Sequence, residues 1–121
     1  MSKYTALAIK KALQIEFESC SGLTPQFAAF AKLFKAAMKA ELEKVGATLV
    51  AFNRGHFTCS GFYQVGDKFG YFSIGDVRSS HSPGELMYRS AKSTKDYSGG
   101  SNNWGDFDNP NLFERMVKLI A

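Results

Sequence analysis

The spacing of hydrophobic positions changes period near residue 46. Over residues 3–18, Ala6, Ile9, Leu13 and Phe17 recur at near-helical spacing. Lys10, Lys11, Gln14 and Glu18 fall mostly on the other side, so this segment predicts a first helix, ended by Cys20-Ser21-Gly22. A second helix starts with Thr24 as N-cap and Pro25 in the first helical position. Phe27, Phe30, Phe34, Met38, Leu42 and Val45 give it an apolar stripe, and Gly46 supplies a left-handed stop. Lys32, Lys35 and Lys39, at i, i+3 and i+7, share its solvent face.

Beyond Gly46 the period is that of strands. ATLVAFN, HFTCSGFYQV and KFGYFSIGDV are rich in β-branched and aromatic residues and predict an antiparallel meander. Asn53-Arg54-Gly55 reads as a three-residue hairpin loop with Gly55 left-handed, and Gly66-Asp67 as a two-residue type II′ loop. The second loop sets Cys59 opposite Ile74, Gly61 opposite Phe72 and Tyr63 opposite Gly70. Each strand glycine then lies under a cross-strand aromatic. Leu49, Phe57, Cys59, Phe72 and Ile74 form the expected core face, with Phe30, Phe34, Met38 and Leu42 packed on it. The other face carries His56, Thr58, Ser60, Phe62, Gln64, Phe69, Tyr71 and Ser73, joined by Val50 and Phe52. A fourth strand is expected near 85–91, an irregular loop over 92–108, and a last helix capped by Asn109 with Pro110 in its first position. Leu112, Met116 and Ile120 give that helix its stripe. The fold class is α+β: two N-terminal helices, a three- to four-stranded antiparallel meander and a C-terminal helix, in a single domain spanning 1–121.

Composition narrows the setting. With 45% hydrophobic and 21% charged residues, the 121-residue chain has the balance of a globular domain and needs no disulfide to fold. Cys20 and Cys59 form no metal-binding pattern and read as free thiols of a reducing compartment. No run approaches the ~20 apolar residues of a membrane span. A cytoplasmic protein without membrane contact is expected. The formal net charge of +4 mildly favours acidic partners. The charge is uneven: residues 96–121 carry two basic side chains against four acidic ones.

Candidate chemistry is sparse. Arg78, Arg89, Lys92 and Lys95 cluster around the fourth strand and with Arg54 make a candidate basic patch for phosphates or acidic groups; equally, they make an ordinary solvated strand edge. Phe62 and Tyr71 are candidates for base stacking on an open sheet, or for a second small core under the last helix or the 92–108 loop. SGGSNN could cradle an anion with its amides, but it lacks a phosphate-loop signature. Trp104 and Tyr97 are candidate interface anchors, or pins that hold the loop to the core. His56 and His81 are the only histidines. The predicted register puts His56 on the face opposite Asp76, so no acid–base pair is expected. No catalytic residue, cofactor or metal site is predicted.

The segment YRSAKSTKDYSGGSNNW, Tyr88 to Trp104, together with HFTCSGFYQVGDKFGYFSIGDVR, resembles small accessory domains of phages and conjugative elements, including some appended to large polyvalent proteins. The resemblance covers roughly residues 45–105. It implies a non-enzymatic inhibitor of host defence, with anti-CRISPR proteins among the relatives of that setting. The order helix, three antiparallel strands, helix is also similar to double-stranded RNA-binding domains. The last helix, NPNLFERMVKLIA, lacks the lysine cluster with which those domains grip phosphates. The expectation is therefore a binding protein that occupies a surface of a host-defence nuclease complex through Arg78, Arg89, Lys92, Lys95 and Trp104. Arg54, His56, Phe62, Tyr71 and Tyr97 are secondary candidates. The alternative is a small nucleic-acid-binding module that uses the basic strand edge.

Overall fold

The computed structural model describes residues 5–15, 23–55, 58–74, 85–96 and 99–121, with the backbone alone at 12–15 and 23–27. Two helices, α1 (Ala6–Ile15) and α2 (Leu23–Lys44), precede five strands. These are β1 (Thr48–Arg54), β2 (Cys59–Val65), β3 (Lys68–Ile74), β4 (Glu85–Ala91) and β5 (Asn103–Asp106), followed by α3 (Leu112–Ile120). The strands form one antiparallel sheet in chain order. The α+β class therefore holds. The sheet has five strands rather than three or four, because β5 forms inside the stretch expected to be irregular. With two leading helices and five strands, the chain also departs from the order of double-stranded RNA-binding domains.

Helix α2 begins at Leu23, one residue ahead of the expected Thr24 cap, and Pro25 falls in the first turn, where an amide has no carbonyl partner to lose. Its C-terminal stop is as expected. Gly46 has φ 85°. The Gly46 amide donates to the Glu43 carbonyl at 3.2 Å and the Ala47 amide to the Leu42 carbonyl at 2.9 Å, the two bonds of a Schellman motif. The reversal lays β1 back along α2.

The β2–β3 register is the predicted one, from Val65 opposite Lys68 to Cys59 opposite Ile74. Gly66 opens the two-residue loop at φ 59°. A Cβ on Gly70 would overlap the Tyr63 ring, so the glycine is what lets that ring lie flat against β3. Tyr63 is fully buried, and its hydroxyl donates to the Met116 carbonyl of α3 at 2.7 Å.

Three expectations fail locally. A β-bulge puts Leu49 opposite Tyr63 and Ala51 opposite Phe62, leaving Val50 as the extra residue. The alternation restarts after it, so Phe52 lies opposite Gly61 on the core face, not beside Val50 on the other. Arg54 pairs with Cys59, so β1 continues through the expected loop. The turn is Gly55–Thr58, closed by the Gly55 amide donating to the Thr58 carbonyl at 2.8 Å, and Gly55 is not left-handed. Finally, Asn109 does not cap α3. Its side-chain oxygen accepts from the Asn111 amide at 2.8 Å, forming a turn that holds Pro110 ahead of the helix, and Asn111 takes the N-cap position.

Helices α2 and α3 pack on one face of the sheet, and α1 packs against α2, adding Ile9 to the same core. Phe34 lies at the centre of that core, fully buried, with the rings of Phe30, Phe52, Phe72 and Phe107 at 5.8, 6.0, 6.1 and 6.3 Å. Leu112, Met116 and Ile120 close it from α3. Phe57 lies outside the described residues. Lys10 of α1 reaches across to bond Asp106 at 3.0 Å and Asp108. The Asp108 amide and the Lys10 ammonium hold the Asp106 carboxyl below its ordinary value, and the two carboxylates raise Lys10. No helix among the described residues is long and apolar enough to cross a membrane.

Two substitutions test this packing. Phe34→Ala removes the ring shared by four others and is expected to cost about 3–5 kcal/mol in chemical denaturation. Gly70→Ala forces a methyl into a ring that cannot retreat and is expected to cost about 1–3 kcal/mol. A wild-type midpoint in either variant contradicts the packing described.

Candidate functional site

Phe62, Tyr71, Arg89 and Trp104 fall on the sheet face turned away from the helices, and cross-strand pairing arranges them in rows. One row runs Phe62, Tyr71, Arg89 across β2, β3 and β4. The Phe62 and Tyr71 rings are 5.1 Å apart. The Arg89 guanidinium lies 4.5 Å from the Tyr71 ring centroid, and its Nη1 donates to Asn102 Oδ1 at 3.3 Å. The adjacent row runs Ser60, Ser73, Met87, Trp104. Met87 is 8% exposed, whereas Trp104 on edge strand β5 is 60% exposed. Trp104 and Arg89 are thus diagonal neighbours on one face.

Phe62 is fully buried. It offers no open platform for a base, and Arg89 already occupies a face of the Tyr71 ring. Helix α3 does not cover this pair, since its buried side chains belong to the core on the opposite face.

The loop from 92 to 102 is organised by one carboxylate. Asp96 accepts the Lys92 amide on Oδ2 at 2.9 Å and the Gly99 amide on Oδ1 at 2.9 Å. The Gly100 amide donates to the Ser90 carbonyl at 3.0 Å. Gly99 has φ 37°, and a Cβ there would overlap the Ser90 carbonyl, so glycine is required both for the angle and for the approach. These contacts answer the anion-cradle expectation: the Gly99 and Gly100 amides are spent inside the loop. Ser90, Ala91, Lys92, Asp96, Gly99 and Gly100 line a shallow cavity of about 360 Å³.

Lys92 and Lys95 are exposed, and neither makes an ion pair among the described residues. Lys92 is five residues along from Met87, the partner of Trp104, or roughly 17 Å at strand spacing. Along β4, Glu85 lies opposite Asp106 at one end and Arg89 further on, and Lys92 and Lys95 follow after the strand ends at Ala91. Arg54 does not join them. It lies on β1, the far edge of the sheet, and at the opposite strand end, since its partner Cys59 faces Ile74 whereas Ala91 faces Phe69. Arg78, His56 and Tyr97, with His81, Asp76 and Cys20, lie outside the described residues.

Of the remaining reactive groups, burial pushes the Cys59 thiol up to about 12, so it stays protonated and inert at neutral pH. No group of three or more His, Cys, Asp or Glu among the described residues is placed to hold a metal. Sequence reasoning missed strand β5 and the Asp96 clasp. Asn-Trp-Gly-Asp has no alternation to reveal a strand, and a carboxylate that bonds loop amides leaves no spacing signature. Comparison with protein families, curated proteins and solved structures finds no match to this chain.

The clasp is testable. Asp96→Ala is expected to speed hydrogen exchange at the Lys92 and Gly99 amides while shifting the thermal midpoint little. Unchanged exchange at both amides contradicts the clasp.

Proposed function

We propose that this chain is a non-enzymatic binding protein that presents the β4–β5 edge to an acidic surface of a protein partner. The observation that carries this reading is the 60% exposure of Trp104, an indole held on a strand rather than tucked into the core. A tryptophan that merely pinned the loop would be covered. Trp and Arg are the side chains enriched among interface anchors, and Arg89 lies beside Trp104, immobilised by Tyr71 and Asn102. A fixed guanidinium loses little freedom on binding. Lys92 and Lys95 extend the surface with two unpaired charges that steer an acidic partner. The span of roughly 17 Å suits the core of a standard interface patch.

The resemblance to phage and conjugative-element domains supplies the partner class: a nuclease complex of a host defence system, inhibited by occupation of a functional surface in the anti-CRISPR manner. The nucleic-acid reading of this strand edge has less support. Arg54 is remote, so among the described residues only Arg89 and the two lysines remain for phosphate contact.

The combined variant Arg89→Ala, Lys92→Ala, Trp104→Ala tests the surface. It is expected to lose capture of the nuclease complex from a lysate of a bacterium carrying such a defence, and to lose any protection of phage plaquing. Its thermal midpoint stays within a few degrees of wild type. Capture that survives in the folded triple variant removes this surface from consideration. So does a loss of ~3 kcal/mol from Trp104→Ala alone, which would mark the indole as structural.

A further inference from the structure

The molecule carries a second charged surface, at the sheet edge opposite Trp104. We propose that Lys32, Lys35 and Lys39 of α2, with Arg54 of β1, bind the phosphate backbone of double-stranded nucleic acid without reading its sequence. At 100° per residue the three lysines fall within an arc of about 60°, and they span about 10.5 Å of helix. All three are exposed. Arg54 joins them through the chain reversal at Gly46. Because β1 runs back along α2, Phe52 meets Phe34 at 6.0 Å and the Lys35 ammonium lies 5.9 Å from the Phe52 centroid. Arg54, two residues further and on the same side of the sheet, is carried roughly 6.6 Å on, to the level of Lys32. The bulge at Val50 decides this: without the extra residue, Phe52 and Arg54 would point to the other face.

Two features separate this stripe from ordinary solvated charge. First, none of the four cations makes an ion pair among the described residues, whereas Lys44 is neutralised by Glu41 at 2.8 Å and Lys10 by Asp106 and Asp108. Second, the ground between them is bare of anchors. The exposed or half-buried helix neighbours on this face are Ala28, Ala29 and Ala36, and the next residue along the stripe, Glu43, marks its end. Protein interfaces are depleted in lysine and built on aromatic anchors. A row of point charges on a smooth helix face instead suits a polyanion backbone, where each neutralised phosphate releases a counterion. The Phe52 ring holds the Lys35 head at the helix–strand seam, so one cation is already placed.

The test is fluorescence anisotropy with a short fluorescein-labelled DNA duplex of mixed sequence, titrated over a range of salt. Four phosphate contacts predict a slope of about −3.6 in log K against log salt, so a fourfold rise in salt weakens binding about 150-fold. Lys32→Ala, Lys35→Ala, Lys39→Ala together are expected to flatten the slope to about −0.9. The corresponding three Lys→Arg changes keep it, which separates lost charge from a lost fold. Lys92→Ala with Lys95→Ala leaves it unchanged. The proposal is overturned if the wild-type protein does not bind the duplex at low salt, or if the alanine variant keeps the wild-type slope while folded. It is also overturned if the Lys92/Lys95 variant loses binding instead. A polyglutamate peptide that competes as well as unlabelled duplex assigns the stripe to an acidic protein surface, and likewise overturns it.

Discussion

The fold hangs on Phe34 having four aromatic neighbours at once. Its ring sits on α2, and the rings around it come from α2 itself, β1, β3 and the turn that follows β5. Two of these contacts, Phe30 and Phe72, follow from simple periodicity; Phe107 comes with the turn after β5, and Phe52 depends on the single extra residue at Val50. One inserted position thus adds Phe52 to Leu49 as the contacts of the first strand with the core. The same insertion turns Arg54 toward the helix side, so the packing of the interior and the charge pattern of the adjoining edge share one cause.

The two edges of the sheet differ in kind. At β5 an indole stands exposed beside an arginine pinned by a ring and an amide, a surface of low mobility and mixed character. At β1 the neighbouring helix presents lysines on long stems over alanines. Both edges are poor templates for another strand, since β1 is bulged and β5 is only four residues long. Recognition at either edge therefore rests on side chains rather than on extension of the sheet.

What the sequence made legible is what short-range rules control. A two-residue glycine loop and strict alternation leave one register for β2 and β3, and Gly46 leaves one end for α2. The bulge was not legible, because an inserted residue has no composition of its own: Val50 fits either face. Strand β5 was hidden since four residues carry no period, and it exists because β4 offers a partner. Among the site residues, type alone pointed to Trp104 and Arg89. Only the fold reveals that they are neighbours, that Phe62 is sealed, and that Arg54 belongs to the other edge. The glycines at 99 and 100, which by sequence could have cradled an anion, donate their amides to Asp96 and to the Ser90 carbonyl.

The strand order β1 to β5 follows the chain, so each pairing closes a modest loop, and the sheet can be assembled by adding hairpins in turn. The ion pairs of Lys10 are different. They join positions 96 and 98 residues apart and cannot form until the turn after β5 is in place. Ile9, fully buried in the core cluster, holds α1 from within, and the Lys10 bonds to two half-exposed aspartates tie the same helix to the turn after β5.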